Sequence, residues 1–253
     1  MNVFITGASS GIGAALARHY AARGANLGLV ARRRTELEKI AETLGIPNRI
    51  YACDVTDVVA MREAAVDFIA AFGATDIVIA NAGVSVGTLT EYAEDIEAFQ
   101  RVMAINVIGL VATFQPFIAR MREQRSGSLV GIASVAGIRG LPGAEAYSAS
   151  KAAAISYLES LRVELKNTGI AVTTICPGYI ATPMTAVNSY SMPFMLQPEE
   201  AAKRFACAIK KRVSYTVIPW QMGLVAKVLR LMPNWLYDRL FANALRKPRN
   251  LPL

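Results

Sequence analysis

Short apolar runs alternate along this chain with longer stretches in which apolar positions recur every three or four residues. Asn2–Ile5, Asn26–Val30, Arg49–Ala52, Asp76–Ala80, Ser128–Ala133, Ile170–Ile175 and Tyr215–Ile218 are four to six residues long. Each is apolar on both sides of the pleat, the pattern of strands buried on both faces of a sheet. Between them, helical periodicity covers residues 11–23, 34–44, 57–72, 96–123, 147–167 and 198–211. Alternation of this kind predicts βαβ units and therefore a parallel sheet with helices on both faces. The fold class expected is α/β, a doubly wound seven-stranded sheet of the Rossmann type. No linker, repeat or low-complexity segment interrupts it, so residues 1–253 read as a single domain.

Two segments break the alternation. After the sixth strand comes an apolar insert, residues 184–196, which opens a lid region of about residues 184–211. Beyond the seventh strand, residues 220–253 predict two further helices divided by Pro233, a C-terminal helical extension.

Composition narrows the function classes. Hydrophobic residues make up 53% of the 253 and charged residues 18%, enough for a large core and unlike a disordered chain. Cys53, Cys176 and Cys207 form no CxxC pair, which argues against structural disulfides and zinc and for a reducing cytoplasm. His19 is the one histidine and reads as a solvated helix position, so a His-based triad or metal site is not expected. Val3, Phe4 and Ile5 are too few for a signal segment, and no apolar run approaches the roughly 20 residues of a membrane span.

The net charge of +8 is concentrated late. Residues 201–253 contain 11 Lys and Arg against Asp238 alone. No nucleic-acid recognition motif or aromatic platform accompanies these cations, so nucleic acid is not the expected partner. In the extension, Trp220, Leu224, Val228, Leu231, Trp235 and Leu240 share helices with Lys227 and Arg230. Packing against the same domain or a second subunit is the preferred reading; peripheral contact with an anionic membrane, at its inner face, is the second.

The candidate chemistry sits at strand ends. Thr6-Gly-Ala-Ser-Ser-Gly-Ile-Gly13 follows the first strand and opens the first helix. There a glycine turn lets the backbone approach a diphosphate, and the helix N-terminus offers unpaired N–H groups. The second strand ends Val30-Ala31-Arg32-Arg33-Arg34. An acid at position 31 would bind a ribose hydroxyl; Ala31 followed by arginines suits a 2′-phosphate instead, so the cofactor expected is NADP(H). Asp54 after the third strand fits an acceptor for an adenine amino group, and Asn81-Ala82-Gly83 follows the fourth.

Tyr147-Ser-Ala-Ser-Lys151 places a phenol and an ammonium four residues apart on one helical face. The ammonium is expected to lower the phenol from its usual value of about 10 and make it a general acid/base. Ser134, thirteen residues earlier, can hold the same substrate oxygen.

Taken together, TGASSGIG, NAG, Asn106–Ser134–Tyr147–Lys151, Pro177-Gly178 and Thr182 resemble the short-chain dehydrogenase/reductase family over about residues 2–183. The resemblance implies catalysis by Asn106, Ser134, Tyr147 and Lys151, with Asn106 holding a water that links the lysine to solvent. It implies cofactor contact by Gly7, Ser9, Ser10, Gly11, Ile12 and Gly13, by Arg32 and Arg33, and by Asp54 and Val55. Asn81, Ala82 and Gly83 extend that surface; Tyr147 and Lys151 reach the nicotinamide ribose; Pro177, Gly178 and Ile180 line the nicotinamide, and Thr182 holds its carboxamide. No metal is implied.

The extension departs from members that end in a Gly-Gly segment and assemble as tetramers. It is similar to the branch containing retinol and 11β-hydroxysteroid dehydrogenases and 3-ketosphinganine reductase, so a homodimer is expected. Met184, Val187, Tyr190, Met192, Phe194, Met195 and Leu196 would either give the lid an apolar lining, which suits a lipophilic carbonyl or alcohol, or cover the core. The insert itself, residues 184–196, carries no cation for a substrate carboxylate or phosphate. The function expected is an NADPH-dependent oxidoreductase; a 3-oxoacyl carrier-protein reductase, a sugar epimerase and a non-catalytic NADP-binding regulator are the alternatives.

Overall fold

A computed structural model describes residues 1–251 of the chain. All seven expected strands form: β1 (Asn2–Thr6), β2 (Asn26–Ala31), β3 (Asn48–Ala52), β4 (Ile77–Ala80), β5 (Gly127–Ile132), β6 (Ile170–Pro177) and β7 (Tyr215–Ile218). They make one parallel sheet in the order β3-β2-β1-β4-β5-β6-β7. The order reverses between β1 and β4, which opens a crevice at the carboxyl ends of the strands.

Helices α1 (Gly11–Ala21), α2 (Arg34–Leu44) and α8 (Pro198–Lys210) cover one face of the sheet. The other face carries α3 (Val58–Phe72), α4 (Asp95–Met103), α5 (Gly109–Glu123) and α6 (Glu145–Glu164). Each layer has its own apolar core. Leu27, Leu29, Ile79 and Phe205 are fully buried in the first. In the second, Phe4 meets Phe68 edge-on at 5.4 Å and Phe117 at 4.9 Å. Strand residues buried on both faces explain the continuous apolar runs in the sequence.

The helix expected at 96–123 is one continuous rod, Asp95–Glu123, but residues 104–108 between α4 and α5 wind as a π-helix. Its mean hydropathy reaches 1.8 over its most apolar stretch, enough by length and composition for a membrane span. Phe114 and Phe117 are nonetheless packed into the second core, as a sheet-covering helix requires. The expectation that no apolar stretch reaches the length of a membrane span is corrected by this helix, which does so by length and composition.

After β6 the chain makes a short helix α7 (Pro183–Ala186) and an irregular lid; after β7 come α9 (Trp220–Leu231) and α10 (Asn234–Phe241), with Pro233 between them. Residues 246–251 then return as a strap across the body. The Gly87 N–H donates to the Pro248 carbonyl at 2.9 Å, and Arg249 pairs with Asp95 at 2.8 Å and Glu94 at 3.0 Å.

Candidate active site

The crevice at the strand ends holds a cavity of about 290 Å³. At one end the β1–α1 turn runs through Gly7, whose φ of +67° suits glycine. A Cβ on Gly13 would collide with the Gly7 carbonyl oxygen, so the turn can fold only with glycine there. Ser10 stands at the N-cap with no side-chain cap bond, and the first turn of α1 has no acid. The helix thus presents its opening N–H groups to the cavity, with Ser9, Ser10, Gly11 and Ile12 on the wall. This arrangement fits a diphosphate.

Arg32 and Arg33 are exposed and line the same end; Ala31 closes β2 beside them. Arg34 turns away and lies 3.8 Å from Glu38 on α2. Asp54 and Val55 are on the wall. Asp54 is already engaged: Oδ1 accepts from the Thr56 N–H and hydroxyl, and Oδ2 from Arg101 at 3.1 Å. Burial opposes its charge, but the Thr56 bonds and then the Arg101 guanidinium hold the carboxyl below its ordinary value. Asn81, Ala82 and Gly83 continue the wall. The Asn81 amide donates to the Thr6 carbonyl at 3.0 Å and the Gly7 carbonyl at 3.3 Å, which locks the ends of β1 and β4 together.

At the other end Ser134, Tyr147 and Lys151 converge on the cavity, opposite Pro177, Gly178, Ile180 and Thr182. Ser134 lies two residues beyond β5 and caps a 3-10 turn, its Oγ accepting from the Ala136 N–H at 3.1 Å. Tyr147 is in the first turn of α6, its phenol close enough to Ser134 for that side chain to favour the phenolate. Thr182 caps α7 reciprocally with Thr185.

Three features correct the expectations from sequence. First, Tyr147 is not brought down by Lys151. Burial raises the phenol, and only the neighbouring Ser134 works against that. The Lys151 ammonium lies 5.8 Å from the phenol ring centre and donates instead to the Ile132 carbonyl at 2.9 Å. Burial pushes Lys151 itself down to about 8.

Second, Asn106 does not line the cavity. It sits in the π-helical turn, where its amide donates to the Val84 carbonyl and to Ser150 Oγ, and its Oδ1 accepts from the Val84 N–H. Ser150 in turn donates to the Tyr147 carbonyl at 2.8 Å. Asn106 is therefore a positioning residue, one layer behind the phenol.

Third, Met184 is the one residue among the seven expected lid residues that lines the cavity. Val187, Phe194 and Met195 point to solvent, and Leu196 packs on the first core. Tyr190 lies near enough to Tyr147 and Tyr179 to feel their charge, although burial is the main reason its phenol is pushed up to about 12.

Sequence reasoning missed Arg101, Ser150 and Lys247. Lys247 comes from the strap, is buried, and donates to the Met184 carbonyl at 3.2 Å. It sets a cation, pushed down to about 8 by burial, behind the insert of residues 184–196, which carries none of its own. Partners 63 residues apart leave no local signal.

Among known proteins, a family model described as short chain dehydrogenase matches residues 1–192. An uncharacterized oxidoreductase of Myxococcus xanthus is 37% identical over 92% of this chain and 93% of its own length. The protein described as 11-beta-hydroxysteroid dehydrogenase 1A of Arabidopsis thaliana is 39% identical over 75% of this chain and 55% of its own. Among solved structures, the alcohol dehydrogenase of the archaeon Thermococcus sibiricus, complexed with 5-hydroxy-NADP, superposes with a TM-score of 0.77. It is 28% identical and covers 86% of this chain and 95% of that one.

Proposed function

The chain belongs to the short chain dehydrogenase family, and from that premise we propose that it is an NADP(H)-dependent oxidoreductase acting on the carbonyl or alcohol group of a lipophilic small molecule. The observation that carries this reading is one cavity with Ser134, Tyr147 and Lys151 at one end and Arg32 and Arg33 at the other. When bound, NADP(H) supplies hydride to a carbonyl carbon or takes it from an alcohol.

The remaining work falls to side chains of this chain. Burial keeps the proton on Tyr147 at neutral pH, so the phenol stands as an acid beside any carbonyl oxygen in the cavity. Ser134 gives that oxygen a second hydrogen-bond donor beside the phenol. Lys151, anchored by the Ile132 carbonyl, lines the same end of the cavity and is placed to hold the nicotinamide ribose. In the opposite direction the phenolate takes the alcohol proton back.

Ala31 leaves room where an acid would repel a 2′-phosphate, and Arg32 and Arg33 supply cations for it. The NADP-type ligand of the archaeal structure supports the same choice. A lipophilic substrate is supported by Val84, Ile105, Ile180 and Met184 in the cavity wall and by the likeness to the plant protein described as a hydroxysteroid dehydrogenase. The proposal includes a homodimer, for which Ile96 and Ile108 offer exposed apolar positions on the long helix, and a cytoplasmic location, consistent with three free cysteines.

A screen of NADPH oxidation over steroids, retinoid aldehydes, long-chain ketones and 3-oxoacyl thioesters tests the reading. Tyr147→Phe is expected to lower turnover of the best substrate by about 10²–10⁴ while NADPH still quenches tryptophan fluorescence. Full turnover in that variant rejects the role given to Tyr147.

A further inference from the structure

We propose that the outer face of α9 and α10 is a docking surface for an anionic lipid bilayer. This inference does not depend on the nature of the substrate.

The two helices are attached to the body by one side only. Met222 and Ala226 on α9 and Tyr237 on α10 are buried. Arg139 donates to the carbonyls of Leu229 and Met232 and to Asn234, while the Tyr237 hydroxyl donates to the Gly140 carbonyl at 2.6 Å. These bonds fix the pair in place without using its other side. That side presents Trp220, Leu224, Val228, Leu231, Trp235 and Leu240 to solvent, with Leu231 83%, Trp235 68% and Trp220 65% exposed. Positions 220, 224, 228 and 231 repeat at the spacing of a single helical face. Single exposed apolar residues are ordinary on a protein surface, but a stripe of large ones marks a surface that something covers.

Charge decides what covers it. Lys227 and Arg230 on α9 and Arg239 on α10 are exposed beside the stripe, with no ion pair among the described residues. Asp238 is the sole acid between Trp220 and Leu253. A second copy docked through the same face would set these cations against their equivalents with one aspartate per chain to answer them. Anionic lipid answers all three.

Long cationic side chains can lie along an apolar stripe and keep their heads among phosphates. Both tryptophans of the chain lie in the stripe, and indole favours the boundary between headgroups and hydrocarbon. The surface also borders the cleft: Met222 packs over Gly178, which lines the cavity.

The test uses the full chain and vesicles of phosphatidylcholine with and without phosphatidylglycerol. The protein is expected to float with the anionic vesicles, and its tryptophan emission should shift to the blue. Partition should fall more than about tenfold at high salt, on phosphatidylcholine alone, and in Lys227→Glu/Arg230→Glu. Leu224→Ser/Leu231→Ser/Trp235→Ser should abolish flotation, with circular dichroism confirming an intact fold. The charge-reversed variant alters only exposed positions and keeps the test valid if the apolar variant fails to fold. Absence of flotation with anionic vesicles overturns the proposal. So does equal binding to both vesicle types. A dimer that becomes monomeric in the apolar variant, with no vesicle binding, assigns the face to a second copy.

Discussion

Burial acts in opposite senses on the two central ionisable residues. It holds the proton on Tyr147 and works to remove it from Lys151, which is pushed down to about 8. For Lys151 the linkage has a definite sign. The folded value lies below the ordinary lysine value of about 10.4, so the buried ammonium costs stability at neutral pH, and the cost disappears as pH rises through that interval. Lys151→Met should therefore stabilise the ligand-free protein at pH 7 by roughly 1–3 kcal/mol, the orphaned Ile132 carbonyl offsetting part of the gain. The advantage should shrink steadily between pH 8 and 10. Urea unfolding at three pH values measures it, and a variant less stable than wild type at pH 7 rejects the reading. The same substitution removes a cation proposed to hold the nicotinamide ribose, so stability and turnover are expected to move in opposite directions.

Among the elements, the strap of residues 246–251 ties the C-terminus to Gly87, to the start of α4 and to Met184 beside the cavity. Arg249 holds Asp95 through two bonds, and Asp95 in turn accepts from the Leu89 N–H at 2.7 Å. The Arg249 bond is the main reason the Asp95 carboxyl lies below its ordinary value. Arg249→Ala should lower the thermal midpoint at neutral pH. Because the folded carboxyl is depressed, the difference from wild type should fade as pH falls through the acid range. Amide exchange at Gly87 and Leu89 should quicken in the variant, since Gly87 donates to Pro248 of the strap; unchanged exchange at both refutes a structural role for it.

Neither the strap nor the π-turn was legible in the sequence. The strands were, because each is a compact apolar run between turn residues. A π-turn adds one residue per turn over one short segment, which hardly disturbs a periodicity averaged over Asp95–Glu123. The strap depends on pairs such as Arg249 with Asp95, 154 residues apart, and no periodicity reports a contact at that range. The lid misled for a related reason: its apolar residues look alike in sequence, and only the fold shows which of them turns inward.

At the scale of the whole molecule, the sheet order explains why the two halves of the site were legible separately and convincing only together. β1 and β2 deliver the glycine turn and the arginines to one side of the reversal in strand order; β5 and β6 deliver Ser134 and Pro177 to the other. A ligand that spans both sides ties the halves of the sheet to each other, so its binding should register as global stability. With NADP⁺ at about a hundred times its dissociation constant the expected gain is about 2.7 kcal/mol. For a chain of this length that corresponds to a rise in thermal midpoint of about 5–10 °C. NAD⁺ at the same concentration should give less than about half of that rise, because it lacks the phosphate that Arg32 and Arg33 would hold. Arg32→Ala/Arg33→Ala should reduce the NADP⁺ shift to the NAD⁺ level and leave the NAD⁺ shift in place, since both side chains are exposed and neither supports the core. Equal shifts for the two nucleotides in the wild type would remove the arginine pair from cofactor choice while leaving the glycine turn as the diphosphate site.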